Sequence, residues 1–387
     1  MSIRPLAVIA LIATAPTWAC APLALYDETT SVVTANFYDR AYRGLPWKER
    51  VALHRQGLTC ESTNAAVALR LNALLAELET SHTGFYTPAD LSYWALKNIF
   101  ARKIDAHPFP QIGLWATCSA DDGCFARNVY EGSIAEKAGL RVGDQLLKLD
   151  DAPFDPLGFR VGGAQRLLVR SRAGETPRSL AVRARRESAQ RALLRATRKA
   201  MRLYERGGRK IGYVHLWAGT HPEIQATFVS QLKSLAGRVD AIVVDLRDGF
   251  GGASPDFVAP LYEDERLRKT PVVALVNDGT RSGKEWVAYR LKRDKRATLL
   301  GETTAGYFIG GRIYDIRGGD FALYLAVEKF DPEDVLDPIE GVGVAPDVES
   351  PGCRRFCEGR DPQLEDALAR LAKPSASGGP SREAIEQ

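Results

Sequence analysis

Hydrophobic positions along the chain change their period from one stretch to the next. Between Ser62 and Leu78, Val67, Leu71, Leu74, Leu75 and Leu78 recur three and four apart behind Ser62 and Thr63, two side chains able to cap a helix. The spacing predicts a packed helix that stops near Thr80, with Ser81-His82-Thr83-Gly84 as an exposed corner after it. Residues 22–107 read as a small, mainly helical N-terminal domain. Over residues 108–187 short strands and turns take over: Ser133 can cap a brief helix at Ile134–Ala138, Gly139 can end it, and Gln145–Leu149 is strand-like. Residues 188–209 read as an amphipathic linker helix carrying Leu193, Leu194, Met201, Leu203 and Tyr204. Across 210–352, strand patterns at 211–216, 241–246 and 272–276 alternate with helical ones at 222–235, 255–262 and 283–291, which predicts a layered α/β sheet. Residues 353–387 are assigned to a C-terminal tail, and its Pro-, Ser- and Gly-rich end from Lys373 is expected to be disordered.

The length of 387 residues agrees with this division, because single cores stop growing at about 250–300 residues. Composition, 45% hydrophobic and 26% charged, is that of a globular chain. The net charge of +4 hides a local bias, since Arg160 to Lys210 holds sixteen Arg or Lys against three acids. No set of aromatic stacking residues is interleaved there as a nucleic-acid platform would need, Tyr204 standing alone, so a solvated basic face is expected and no nucleic-acid partner.

The first residues run from Arg4 through an apolar stretch, Leu6 to Ala15, to the small-residue run Ala19-Cys20-Ala21. This reads as a secretory signal peptide over 1–21 and places the protein outside the cytoplasm, periplasmic or extracellular, with lipidation at Cys20 as the lesser alternative. No later segment has 18 uninterrupted apolar residues, so no integral membrane segment is expected after processing. Export permits disulfides. Cys118 and Cys124 flank a turn-forming Ser-Ala-Asp-Asp-Gly, and Cys353 and Cys357 close a short Arg-Arg-Phe loop. Cys60 has a partner only if Cys20 survives processing. No Cys or His run has zinc-ligand spacing, so no metal is expected.

Candidate chemistry sits on two loops that leave strand C-termini, where α/β folds collect functional groups. One is Arg247-Asp248-Gly249-Phe250-Gly251-Gly252; the other, Asn277 to Glu285, puts Ser282 at the start of a helix. A phosphate-binding loop is excluded, because Asp278 stands where its first glycine would be and Glu285 follows Lys284. A nucleophile-elbow hydrolase needs a histidine after its serine. All five histidines (54, 82, 107, 215 and 221) precede Ser282.

The run from Gly132 to Asp150, G-S-I-A-E-K-A-G-L-R-V-G-D-Q-L-L-K-L-D, resembles the core signature of PDZ domains. That resemblance implies a peptide added as an extra strand, with its carboxylate received near Ile112, Gly113 and Leu114; a rigid spacer is the other reading. The pieces D-L-R-D-G-F-G-G from Asp245, N-D-G-T-R-S-G-K-E from Asn277, G-E-T-T-A-G from Gly301 and E-G-V-G-V-A-P-D from Glu340 resemble the C-terminal processing (tail-specific) serine peptidases, and among them the tricorn-core type. The resemblance implies a crotonase-like (ClpP/crotonase) α/β catalytic domain with Ser282 as nucleophile. Tyr307 stands where the processing peptidases carry a catalytic lysine, and Lys284, two residues from the serine, is expected to point away. The tricorn-core pattern instead places a base at His82, in Thr80-Ser81-His82, and a carboxylate at Glu340. It also implies an oxyanion hole from Gly283 and one glycine of the Gly251-Gly252 pair, with Gly251 preferred. The expected activity is cofactor-free hydrolysis of peptides or unfolded proteins. A catalytically silent relative acting as a peptide- or ligand-binding protein is the alternative.

Overall fold

The computed structural model describes residues 20–329 and 339–373. Residues 1–19 and 374–387, and with them most of the expected leader and nearly all of the expected disordered end, lie outside the described residues. Helix α1 (Ala21–Asn36) starts directly after Cys20, and Cys20 is disulfide-bonded to Cys60. A leader ending at residue 21 therefore runs into folded structure; the pairing requires Cys20 to stay with the folded chain.

Helices α2 (Trp47–Arg55) and α3 (Asn64–Ala76) follow, and Thr63 caps α3 by accepting the Ala66 N–H. Strand β1 (Gly84–Tyr86) and helix α4 (Leu91–Ile99) complete the segment. It has no core of its own. Leu25, Tyr26, Leu71 and Leu74 belong to the same apolar cluster as Val214, Phe228 and Val244. The apolar stripes of these helices are thus buried against the α/β layer, which corrects the expectation of a separate helical unit.

The next strands are β2 (Leu114–Ser119), β3 (Gly123–Val129), β4 (Gln145–Leu149), β5 (Gln165–Arg170) and β6 (Arg178–Val182), with helix α5 (Ile134–Lys137) between β3 and β4. They form one antiparallel sheet in the order β2-β3-β4-β5-β6, with an independent core of Ile112, Leu146, Leu167 and Val169 among others. Cys118 and Cys124 sit opposite each other across β2 and β3 and are disulfide-bonded.

The linker helix is shorter than its pattern suggests. Helix α6 (Ala189–Ala200) stops at Ala200, and Arg202–Arg206 is strand β7, the antiparallel edge of the main sheet. That sheet continues through β8 (Arg209–His215), β9 (Ala241–Asp245), β10 (Val272–Val276) and β11 (Thr298–Gly301), all parallel. Helix α7 (Pro222–Leu235) connects β8 to β9, and α8 (Gly283–Arg293) connects β10 to β11. β9 and β10 are buried at every position, as strands covered on both faces must be. Val244 and Ala274 face the cluster shared with α7 and α8; Val243, Val273 and Leu275 face the other side.

A hairpin of β12 (Gly310–Ile316) and β13 (Phe321–Glu328) pairs antiparallel with β1. Strand β14 (Val348–Glu349) closes the main sheet beside β11, and helix α9 (Pro362–Ala372) lies on its second face through Ala367, Leu368 and Leu371. The segment assigned to a tail over 353–387 thus contains a core helix. Before it, Cys353 and Cys357 are disulfide-bonded, and Phe356 packs edge-on to Phe125 of β3.

Candidate active site

The two chemical loops are knitted together at the C-terminal ends of β9 and β10. Asn277 Oδ1 accepts the N–H groups of Gly279 (2.9 Å) and Asp248 (3.1 Å), while Thr280 Oγ1 donates to Leu246 O (2.9 Å). The chain then turns sharply into α8 at Ser282, whose φ of 56° is in the left-handed region that non-glycine residues avoid. Glu285 holds that turn. Its buried carboxylate accepts the Ser282 N–H (2.9 Å), Thr304 Oγ1 (2.6 Å) and the N–H groups of Gly306 (2.7 Å) and Tyr307 (2.9 Å). Burial pushes its pKa up, and these four donors oppose the shift.

Gly251 lies against the serine: a Cβ built on it would come within 2.4 Å of Ser282 Cβ. Gly283 is equally enclosed, since its Cβ would meet Ala253 O at 2.0 Å. Both positions tolerate only glycine.

His82 reaches the same cleft from the corner before β1, with a φ of 55°. Gly311 of β12 lies beneath its Cβ, and Tyr324 of β13 meets its ring edge-on with centroids 5.2 Å apart. Glu340 does not touch the imidazole directly. Ser81 stands between them: its Oγ is 2.9 Å from His82 Nδ1 and donates to Glu340 Oε2 at 3.0 Å, and its N–H donates to Oε1 at 3.1 Å. Glu340 Oε2 also accepts the N–H groups of Phe308 (2.6 Å) and Ile309 (2.8 Å). Burial pushes the His82 pKa down to about 4, with Glu340 opposing and Arg281 adding to the shift. A base titrating in the neutral region, the ordinary expectation for histidine, is therefore not what this environment gives.

Ser282, His82, Gly251, Gly252, Arg281 and Tyr307 all line one cleft of about 450 Å³, with Tyr86, Leu96, Ile99, Phe100, Phe250 and Trp115 supplying apolar walls. Among the described residues no hydrogen bond joins Ser282 Oγ to His82; such contacts commonly tighten only when substrate binds. Tyr307 is half exposed at the lip of the cleft. Lys284 points away from the cleft into the interior, where Nζ donates to the backbone carbonyls of Asp248, Leu216 (3.3 Å) and Arg247 (3.5 Å). Burial pushes its ammonium down to about 7.

Of the residues expected to receive a peptide carboxylate, Ile112 is buried in its sheet's core and its carbonyl accepts Ala135 N–H (2.9 Å). Gly113 has φ +80° and packs on Ser133. Leu114 begins β2, the edge strand, whose Trp115 packs edge-on to Phe250 (5.8 Å) and reaches the cleft. On β3, Arg127 pairs with Asp248 (2.7 Å) and Asp278 (2.5 Å), one on each chemical loop. Among the described residues no group of His, Cys, Asp and Glu could hold a metal ion, and no helix is long and apolar enough to cross a membrane.

The family model for peptidase family S41 matches residues 256–350, and that for the PDZ domain matches residues 125–175. The chain carries an S41 peptidase domain and a PDZ domain. The S41 match includes Ser282 and Glu340 but leaves His82 outside it. A carboxyl-terminal-processing protease of Picosynechococcus is 28% identical over 63% of this chain and 66% of its own length. A putative tricorn protease homolog of Streptomyces coelicolor is 24% identical over 90% of this chain and 32% of its own. The chain thus spans about two thirds of the first relative and about one third of the second. A solved photosystem II D1 C-terminal processing protease shares the fold, with a TM-score of 0.57 at 20% identity over 92% of this chain and 99% of that one.

Ser81 was missed by sequence reasoning, although it adjoins His82 in the same motif. The burial of Lys284 and the bridge from Arg127 to both loops had no sequence signal, because each depends on segments far apart in the chain.

Proposed function

We propose that this chain is an exported serine endopeptidase of the tricorn-core type, hydrolysing peptide bonds of peptides or unfolded proteins with Ser282 as nucleophile, His82 as general base and Glu340 as the carboxylate that orients the base. The observation that carries the reading is the convergence of Ser282 and a carboxylate-linked histidine on one cleft. Because Ser81 occupies the gap, Glu340 acts on His82 through the Ser81 hydroxyl. With Nδ1 held there, Nε2 is the nitrogen left to take the proton from Ser282 Oγ as it attacks the scissile carbonyl. The negative charge that develops on the carbonyl oxygen falls to the N–H groups of Gly251 and Gly283. His82 then returns the proton to the leaving amine, and water repeats the sequence to release the acid. An imidazole with a depressed pKa is neutral, and so competent as a base, throughout the neutral range.

Trp115 and Arg127 place the PDZ domain beside the cleft, which supports a role in presenting or gating substrate. Three paired cysteine couples among the described residues support an oxidising compartment. The silent-relative alternative is not favoured, since the cleft retains a nucleophile, a base and donors for an oxyanion. Hydrolysis of a casein by the purified protein tests the reading: Ser282→Ala and His82→Ala are each expected to remove activity by about 10³- to 10⁶-fold. Equal cleavage by His82→Ala would overturn the base assignment.

A further inference from the structure

Arg281, the residue before the nucleophile, has no assigned role, and no carboxylate among the described residues is hydrogen-bonded to its guanidinium. It lines the catalytic cleft half-buried. Its guanidinium lies 5.9 Å from the Phe250 ring centre, and among the described residues its hydrogen bonding is one long contact from Nε to Gly279 O at 3.4 Å. A guanidinium has five N–H donors in a planar fork suited to a carboxylate, so most of that capacity is idle. On its other side Arg281 borders a smaller pocket with Asp248 and Asp278, and both of these acids are paired with other arginines. Asp248 is held by Arg127 (2.7 Å), and Asp278 by Arg127 (2.5 Å) and Arg354 (2.9 Å). Among the described residues that line the cleft there is no Asp or Glu, and apart from His82 the remaining lining is apolar, aromatic or uncharged.

A guanidinium with no carboxylate bonded to it, facing a cleft without acids, attracts an anion more strongly than it would in water, because the apolar walls hold the dielectric down. Bound substrate is what fills this cleft. We infer that Arg281 is a specificity-determining residue that binds a substrate carboxylate close to the scissile bond, so that the preferred substrates are peptides with an acidic group there. The inference rests on the peptidase reading of the cleft. The carboxylate has two possible sources, an Asp or Glu side chain or the free C-terminus of a peptide whose end lies near the cleavage point. Both present the same planar pair of oxygens to the fork.

The test separates binding from catalysis by using the full chain with Ser282→Ala. Four fluorescein-labelled octapeptides of one apolar sequence serve as probes, carrying Glu or Gln at one central position and ending as the free acid or the amide. Binding is read by fluorescence anisotropy. The carboxylate-bearing probe is expected to bind about ten- to a hundredfold tighter than its neutral counterpart, the ratio a charge-assisted hydrogen bond supplies. A Glu-over-Gln preference assigns the side-chain source; an acid-over-amide preference assigns the terminus. The preference should collapse to within about twofold in Ser282→Ala/Arg281→Gln and survive in part in Ser282→Ala/Arg281→Lys.

Equal binding of all four probes would overturn the inference, and so would a preference that persists with Arg281→Gln, which would point to the PDZ domain. Should the double variant fail to fold, wild-type cleavage of the same four peptides decides the matter, with equal cleavage of all four overturning the inference. Failure of the peptidase reading shows differently: Ser282 would not react with a fluorophosphonate, whatever the anisotropy gives.

Discussion

Replacing Lys284 with methionine removes a charge that the fold keeps in its interior while preserving most of the side-chain volume. In the folded protein the ammonium is fully buried, donates among the described residues to backbone carbonyls, and is pushed by burial down to about 7. In the unfolded chain a lysine titrates near about 10.4. Between those two values the unfolded chain binds more protons than the folded one, so the wild-type protein gains stability as pH rises through that window. For one proton with these two pKa values, the gain between about pH 7 and pH 9 is about 2 kcal/mol. Methionine has no proton to release. The stability difference between wild type and Lys284→Met should therefore move in favour of wild type by that amount, read as the difference in urea unfolding of the two proteins at the two pH values. Arg247 and Asp248, two of the carbonyl partners, begin the loop that reaches Gly251, so the variant should also lose activity by about tenfold or more at pH 7 as that loop loosens. A stability difference that stays flat from pH 7 to pH 9 would refute the buried, carbonyl-held ammonium.

The depressed His82 pKa predicts a pH–rate profile for kcat/KM that is half-maximal near pH 4 and flat through neutrality; an acid limb centred near 6.5 would show an ordinary, solvated imidazole instead. Ser81→Ala separates His82 Nδ1 from Glu340 and should lower kcat/KM by about 10- to 100-fold, with partial recovery in Ser81→Thr, whereas unchanged kinetics would remove Ser81 from the linkage. Mass mapping of unreduced peptides should find the pairs Cys20–Cys60, Cys118–Cys124 and Cys353–Cys357, and free thiols at these positions would contradict both the pairing and the case for export.

Local signals carried the sequence reading a long way. Strand β9, apolar up to its terminal Asp245, the fully apolar β10 and the Gly-rich loops after them were legible because parallel strands and their C-terminal turns write their pattern in consecutive residues. Strand β7 was not. Leu203 and Tyr204 fit a helical continuation of α6, and it is the ladder from Arg202 opposite Tyr213 to Arg206 opposite Arg209 that selects the extended form. Helix α9 was overlooked for a different reason. Asp361 caps it and Leu364, Ala367, Leu368 and Leu371 recur at helical spacing, so its pattern was present, but its position after the cysteine loop suggested a tail. Within the candidate site, Ser282, His82 and Glu340 were proposed from motifs, and the structure brings Ser282 and His82 to one cleft. The Ser81 link, the interior burial of Lys284 and the acid shift of His82 depend on which distant segments pack together, and no single stretch of sequence records that.

The central claim is that Ser282 is a nucleophile activated by His82. Its most direct test is the rate at which a fluorophosphonate modifies the protein at pH 7, followed by mass spectrometry of the intact chain and of the peptide containing residue 282. The account predicts a single adduct on Ser282 in the wild type, none in Ser282→Ala, and labelling slowed by at least about 10³-fold in His82→Ala. An unmodified Ser282, or one that His82→Ala labels as fast as the wild type, would contradict it.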